Sequence, residues 1–281
     1  MKRLATQALF LVLCLALAAC AKAPFTGRNQ FIMVSKSQEA KLGQEAAKEV
    51  LEKEKLSTDK ALTARVLRVG SRISAATEDP QQWDFYVVDN DKTVNAFALP
   101  GGKVFVYTGL LKLATTDAEL AAVVGHEAAH VTARHGAERV SQATALGLGQ
   151  QLATTLYGGS SATVQAFKVA YGIGANVGVL LPFSRIQEYE ADRLGMIYMA
   201  KAGYDPQGAL VFWEKMTSMS EEEGGKKPPE FLSTHPADGK RLDSMRDLLP
   251  EARRYMAAPA ASEVPEAVPA PSAKPAAPNA I

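Results

Sequence analysis

Val124-Gly125-His126-Glu127-Ala128-Ala129-His130-Val131, or VGHEAAHV, sets two histidines four residues apart with a glutamate directly after the first. The whole chain of 281 residues holds only four histidines. The flanking residues favour a helix. Asp117 stands as an N-cap, Glu119 falls in the first turn, and Ala, Leu, Glu and Arg dominate through Val140. On one helix over 117–140, residues four apart share a face, so His126 and His130 offer two imidazole nitrogens to one point. That spacing, HExxH, supplies two zinc ligands and puts Glu127 where a base can take a proton from water. His135 follows nine positions after His126. On the same helix it falls half a turn away and is expected to pack or to face the surface.

Two histidines leave zinc under-coordinated, because a catalytic site needs three protein ligands and one open position. SRIQEYEAD, residues 184–192, carries Glu188 and Asp192 four apart on an expected helix. Glu188 can supply the third bond. Asp192, one turn on, can accept the other ring N–H of a zinc-bound histidine and fix its tautomer. Glu190 is the rival ligand. It points about 200° around the helix from Glu188, so only one of the two can face the metal together with Asp192.

The length suits one large domain or two small ones. Charged residues make up 22% and the formal net charge is +1. With no basic stripe in the chain, nothing points to nucleic acid. Lys2 and Arg3 precede an apolar stretch over 9–17 that is too short to span a bilayer, the pattern of a signal peptide covering 1–19. Leu17-Ala18-Ala19-Cys20 looks like a bacterial lipobox, in which Cys20 is lipidated. Removing 1–19 takes Cys14, Lys2 and Arg3 away. That leaves no cysteine pair and turns the net charge to −1. A lipoprotein is anchored to a membrane leaflet rather than threaded through it.

Further along, 20–36 is expected to be a tether. Helices are expected from Ser37 to about Lys55 and from Thr58 or Asp59 to Asp79-Pro80, the second with Leu62, Val66, Val69 and Ile73 as its apolar stripe. Strands follow over 83–89, 94–99 and 103–107, the last two joined by Pro100-Gly101-Gly102. The Gly/Ala-rich stretch 142–183 reads as buried or mobile helices near the site, not a membrane span. Ser184 caps a helix through about Ala202, and Asp205-Pro206 starts another. Residues 221–225 read as a solvated loop. The Ala/Pro-rich tail over 257–281 reads as disordered. The folded unit is thus expected over 37–256.

HExxH, then EYEAD on a later helix, then Thr234-His235-Pro236 with Arg241 six residues beyond the histidine, resembles the zinc endopeptidase family of HtpX and the CAAX prenyl protease. The early Thr26-Gly27-Arg28-Asn29-Gln30 is similar to the envelope lipoprotein members of that family. The likeness covers roughly residues 24–250. Some of those members carry a helical repeat domain after the protease, and this chain ends too soon for one. The resemblance implies an α+β, mainly α-helical, zincin-like fold with a small β-sheet next to the HExxH helix. It implies one Zn2+ per chain on His126, His130 and Glu188, with Glu127 as general base and Asp192 behind a ligand. His235 would be either a closed-state fourth ligand or an oxyanion stabiliser, with Arg241 in support. Asn95, Ala96 and Phe97 resemble the family's substrate-binding edge strand, which pairs with extended chains.

The implied function is hydrolysis of unfolded or misassembled envelope and outer-membrane proteins by an enzyme held on the periplasmic face of the outer membrane through Cys20. Ala21 rather than Asp after the cysteine agrees with that placement. The alternatives are a non-proteolytic chaperone or assembly lipoprotein with a closed, four-ligand zinc site, and a metal-free binding protein.

Overall fold

Strand alternation builds a sheet that is apolar on both faces. Strands β3 (Asp84–Val88), β4 (Ala96–Leu99) and β5 (Lys103–Tyr107) lie in the order β3-β5-β4. β5 runs parallel to β3 and antiparallel to β4. Successive side chains point to opposite faces. Val104 and Val106 therefore join Val87, Ala96 and Ala98 in one apolar cluster, while Phe105 and Tyr107 join Val88 and Leu99 in another. On the second face Phe105 stacks on Tyr86 and Phe97, with ring centroids 4.9 and 5.0 Å apart. Truncating the fully buried Phe105 to Ala would cost about 3–5 kcal/mol. The turn into β5 needs left-handed backbone at Gly101 and Gly102 (φ 81° and 74°), and a Cβ on Gly102 would strike the Gln82 carbonyl.

The computed structural model describes residues 20–23, 26–154, 183–222, 229–236 and 239–256. The signal peptide, the tail over 257–281 and most of the stretch 142–183 lie outside them, and so do the expectations made there. Helix α1 (Lys36–Lys53) covers the aromatic face of the sheet through Leu42, Ala46, Ala47 and Val50. Its cap is Ser35, two residues before the expected Ser37. Ser35 and Gln38 complete a reciprocal capping box there, which Ser37 cannot form. Helix α2 (Lys60–Ala76), capped by Asp59, presents Val66, Val69 and Ile73 to the other face. After the short α3 (Thr108–Leu113), helix α4 (Asp117–Thr132) packs against α2 and against β4. It is buried at every position from Glu119 to His130. Its side-chain cap is Thr116, and Asp117 is its first residue.

The one helix expected over 117–140 is two. α4 stops at Thr132, Arg134 adopts left-handed backbone (φ 56°), and α5 (His135–Thr154) leaves in a new direction. Arg134 is held there by its own side chain, with Nε donating to Glu39 Oε2 at 2.8 Å and Nη2 to the Val34 carbonyl at 2.9 Å. Helices α6 (Arg185–Lys201) and α7 (Gln207–Glu222) pack on α4, α9 (Gly239–Arg253) packs on α6 and α7, and the short α8 (Glu230–Thr234) lies beside the start of β4. α7 runs through Glu221 and Glu222, so the start of the expected loop is helical. Residues 20–36, read as a tether, contain a hairpin of β1 (Cys20–Lys22) and β2 (Asn29–Phe31). Among the described residues no helix is long and apolar enough to cross a membrane.

Candidate metal centre

Four side chains from three places in the chain meet under α4. His126, His130, Glu188 and His235 are all buried, and each offers a ligand atom within 4.8 Å of the others. His126 Nε2 lies 3.0 Å from His130 Nε2 and 3.2 Å from His235 Nδ1. Glu188 carboxylate oxygens stand 3.5 Å from His126 Nε2, 3.4 Å from His130 Nε2 and 3.1 Å from His235 Nδ1. Donors around a tetrahedral zinc with bonds of 2.0–2.1 Å sit about 3.3 Å from one another, so these separations fit one zinc ion.

Hydrogen bonding leaves the right lone pairs bare. His126 Nδ1 lies 2.9 Å from Asp192 Oδ1, and a carboxylate only accepts, so the ring proton sits on Nδ1 and Nε2 is free to bind metal. Asp192 is itself fixed by Arg241, whose Nε and Nη2 donate at 2.6 and 2.7 Å. Arg241 also pairs with Glu188 at 2.7 Å and lies over the Trp213 ring at 3.8 Å. Glu127 Oε2 accepts from the Ala98 N–H at 3.1 Å, and its Oε1 faces His235 Nε2 at 3.2 Å. Glu127, Glu188 and Asp192 bring three carboxylates into a buried volume with one guanidinium. A divalent cation supplies the missing positive charge.

The local electrostatics agree. Burial works against a charged His126, yet Asp192 and Glu188 push its pKa up to about 9. The proton so attracted is the one a metal displaces. Burial drives His130 well below the ordinary histidine value. Burial likewise pushes the Glu127 carboxyl up. It acts the same way on Glu188, but Arg241 and His235 overcome it and hold that carboxyl well below the usual range.

His126, Glu127, His130, Glu188, Asp192, His235 and Arg241 come together in or beside this cluster, whereas Cys20 sits in β1. Ala96 is buried and Phe97 half-buried in the edge strand β4, whose Ala98 N–H reaches Glu127, and the buried Asn95 stands just before it; the Phe97 ring itself packs on Phe105 on the far face of the sheet. Glu190, the rival ligand, turns away from the cluster as the helical angle requires. Its partners are Thr26, Arg28 and His135. His135 is not a surface or packing residue. It is fully buried, and its Nδ1 contacts His130 Nδ1 at 2.9 Å. The cause is the turn at Arg134, which brings His135 back beside His130 instead of half a turn away. Phe183, also passed over, lies tilted against His130 at 3.9 Å between ring centroids. A third histidine so soon after HExxH, in a chain with four, was the available signal for His135. For Phe183 there was none.

An HExxH helix lying against the edge of a small sheet, with a carboxylate from a later helix brought beside its two histidines, defines a zincin-like zinc metallopeptidase centre. Residues 56–249 match peptidase family M48, and the chain belongs to that family. The mitochondrial metalloendopeptidase OMA1 of Schizosaccharomyces pombe is 38% identical over 234 residues, which cover 82% of this chain and 66% of the relative. The human metalloendopeptidase OMA1 is 30% identical over 82% of this chain and 46% of its own length. The beta-barrel assembly-enhancing protease of Yersinia pestis is 32% identical over 80% of this chain and 46% of its own length. The chain thus spans just under two thirds of the yeast relative and about half of the other two. The likeness extends to mitochondrial as well as bacterial members, and is not confined to envelope lipoproteins.

Proposed function

We propose that this chain is a zinc-dependent endopeptidase that cleaves unfolded or misassembled proteins of a bacterial envelope, with His126, His130 and Glu188 as zinc ligands. The observation that carries the reading is the convergence of these donors, lone pairs bare, with Glu127 beside them. Bound zinc supplies a water of lowered pKa and polarises a peptide carbonyl. Glu127 is the base. Burial raises its pKa, which makes it a stronger base for taking a proton from the attacking water and returning it to the leaving amine. Asp192, fixed by Arg241, holds the His126 ring. His235, with Nδ1 3.2 Å from His126 Nε2, would have to turn aside for water or substrate to reach a zinc held by His126, His130 and Glu188.

An extended substrate suits the edge strand. Tyr107 N–H donates to the Asn95 carbonyl and Ala98 N–H faces Glu127. Strand alternation therefore turns the Ala96 backbone groups outward, where a peptide can pair with them irrespective of its sequence. That edge is covered here near α8, where Phe231 N–H donates to the Val94 carbonyl. The envelope location rests on the lipobox at 17–20. Fatty-acid labelling that disappears in Cys20→Ala supports the anchor, and labelling that persists removes it.

His235 inside the cluster favours a second reading, a chaperone or assembly factor whose zinc site stays closed. Purified protein with unfolded casein separates the two. Cleavage that is lost in Glu127→Gln while zinc content stays at one per chain supports the peptidase. No cleavage in either protein, with aggregation suppressed by both, supports the chaperone.

A further inference from the structure

The segment Thr26-Gly27-Arg28-Asn29-Gln30 takes no part in the chemistry above and lies outside the residues that match the family. Its side chains nevertheless reach the site. Glu190 Oε2 accepts from Arg28 Nε at 2.9 Å and lies 2.9 Å from His135 Nε2, and Glu190 Oε1 accepts from the Thr26 hydroxyl. The Arg28 guanidinium also grips Glu138 through two N–H groups at 2.9 and 2.8 Å. Gln187, one residue before the ligand Glu188, donates to the same Glu138 at 2.9 Å.

We infer that Thr26 and Arg28, acting through Glu190 and His135, set the tautomer of His130, so that the chain's N-terminal segment completes the outer shell of the metal centre. Counting protons along these contacts places each one. Ionised Glu190 can only accept, so His135 Nε2 must carry a proton. A neutral His135 then has a bare Nδ1. One proton lies in the 2.9 Å contact between His135 Nδ1 and His130 Nδ1, and it must belong to His130. His130 Nε2 is thereby left bare and faces the cluster. His135 is fully buried, and a His130 that binds metal through Nε2 keeps its ring proton on Nδ1, which only the bare Nδ1 of a neutral His135 can accept. With Glu190 removed, nothing fixes the proton on His135 Nε2, and His130 can hold its own proton on the nitrogen that should bind metal. Glu190 and His135 are positioning residues for His130, as Arg241 and Asp192 are for His126.

This inference rests on the reading of His130 as a zinc ligand, and the experiment keeps the two apart. Zinc affinity is measured by competition with a chromogenic chelator, and the visible spectrum of the cobalt-substituted protein is recorded alongside, on full-length protein. Wild type binding one zinc per chain is required first, and its failure to do so overturns the ligand reading and the inference together. His135→Leu and Glu190→Leu are expected to weaken zinc about 10–100-fold and to alter the cobalt spectrum. Arg28→Met is expected to shift both in the same direction by less. His135→Asn, whose amide oxygen can stand near the position of Nδ1, is expected to recover most of the affinity. His135→Gln, whose amide lies nearer Nε2, is not. Should the Leu variants fail to fold, Asn against Gln still decides. Equal affinity and equal spectra in wild type and His135→Leu, or in Asn and Gln, overturn the relay while leaving the zinc site in place.

Discussion

Gly125 and Gly195 meet where helices α4 and α6 cross. A Cβ on Gly195 would stand 2.9 Å from the backbone nitrogen of His126, and one on Gly125 would stand 3.0 Å from the Gly195 carbonyl. The crossing fixes how far Glu188, seven residues before Gly195, stands from the two imidazoles. Gly195→Ala must spread the helices against main chain that cannot yield as a flexible side chain does. We expect a loss of about 1–3 kcal/mol, a Tm lower by several degrees, and weaker zinc binding than wild type. Thermal melts with and without chelator check this. A melt and affinity equal to wild type would show that the crossing has slack.

Glu188→Ala removes a donor, whereas Asp192→Asn removes only a support. Zinc content after dialysis is expected to fall well below one per chain in Glu188→Ala. In Asp192→Asn it should stay near one, with affinity reduced about 10–100-fold. Metal analysis and chelator competition on both variants distinguish the roles. Retained zinc in Glu188→Ala would remove Glu188 from the ligand set.

His235→Ala leaves three donors and an open position. Zinc is expected to stay at one per chain with lower affinity, and casein cleavage is expected to rise because no side chain then blocks entry. Cleavage that disappears while zinc remains would assign His235 to stabilising the oxyanion instead.

Glu119 anchors the first turn of α4. Its Oε2 accepts from Lys215 Nζ at 2.8 Å and from the Thr115 N–H at 2.9 Å. Burial works in the opposite direction, but these partners hold the carboxyl below its ordinary value of 4.5. A lowered folded pKa stabilises above the unfolded value and loses that contribution as pH falls through the folded one. The Tm difference between wild type and Glu119→Gln is therefore expected to be largest above pH 4.5 and to close below it. A difference that does not change with pH would mean that the ionised form contributes nothing.

Much of the local framework was legible. Ser184 capping α6, Asp59 capping α2 and the glycine turn before β5 are all short-range rules, and each element is where those rules put it. Family membership was legible too, because HExxH and EYEAD are defined by spacing along single helices. The break at Arg134 was not. Nothing local forbids helix through 133–135, and the left-handed turn is held by Glu39 and Val34 from about a hundred residues earlier.

The sequence by itself determined that His126 and His130 share one face of a helix and that Glu188 and Asp192 share one face of another, because a helix's angular period follows from its backbone alone. Only the tertiary structure decided that His135 turns back onto His130 and that Thr26 and Arg28 clamp Glu190, and it is tertiary packing that brings His235, placed near the metal by resemblance alone, into the same cluster. Those contacts depend on where separate elements come to rest, and that is set by the packing of α4 against α6, α7 and the sheet rather than by any residue's near neighbours.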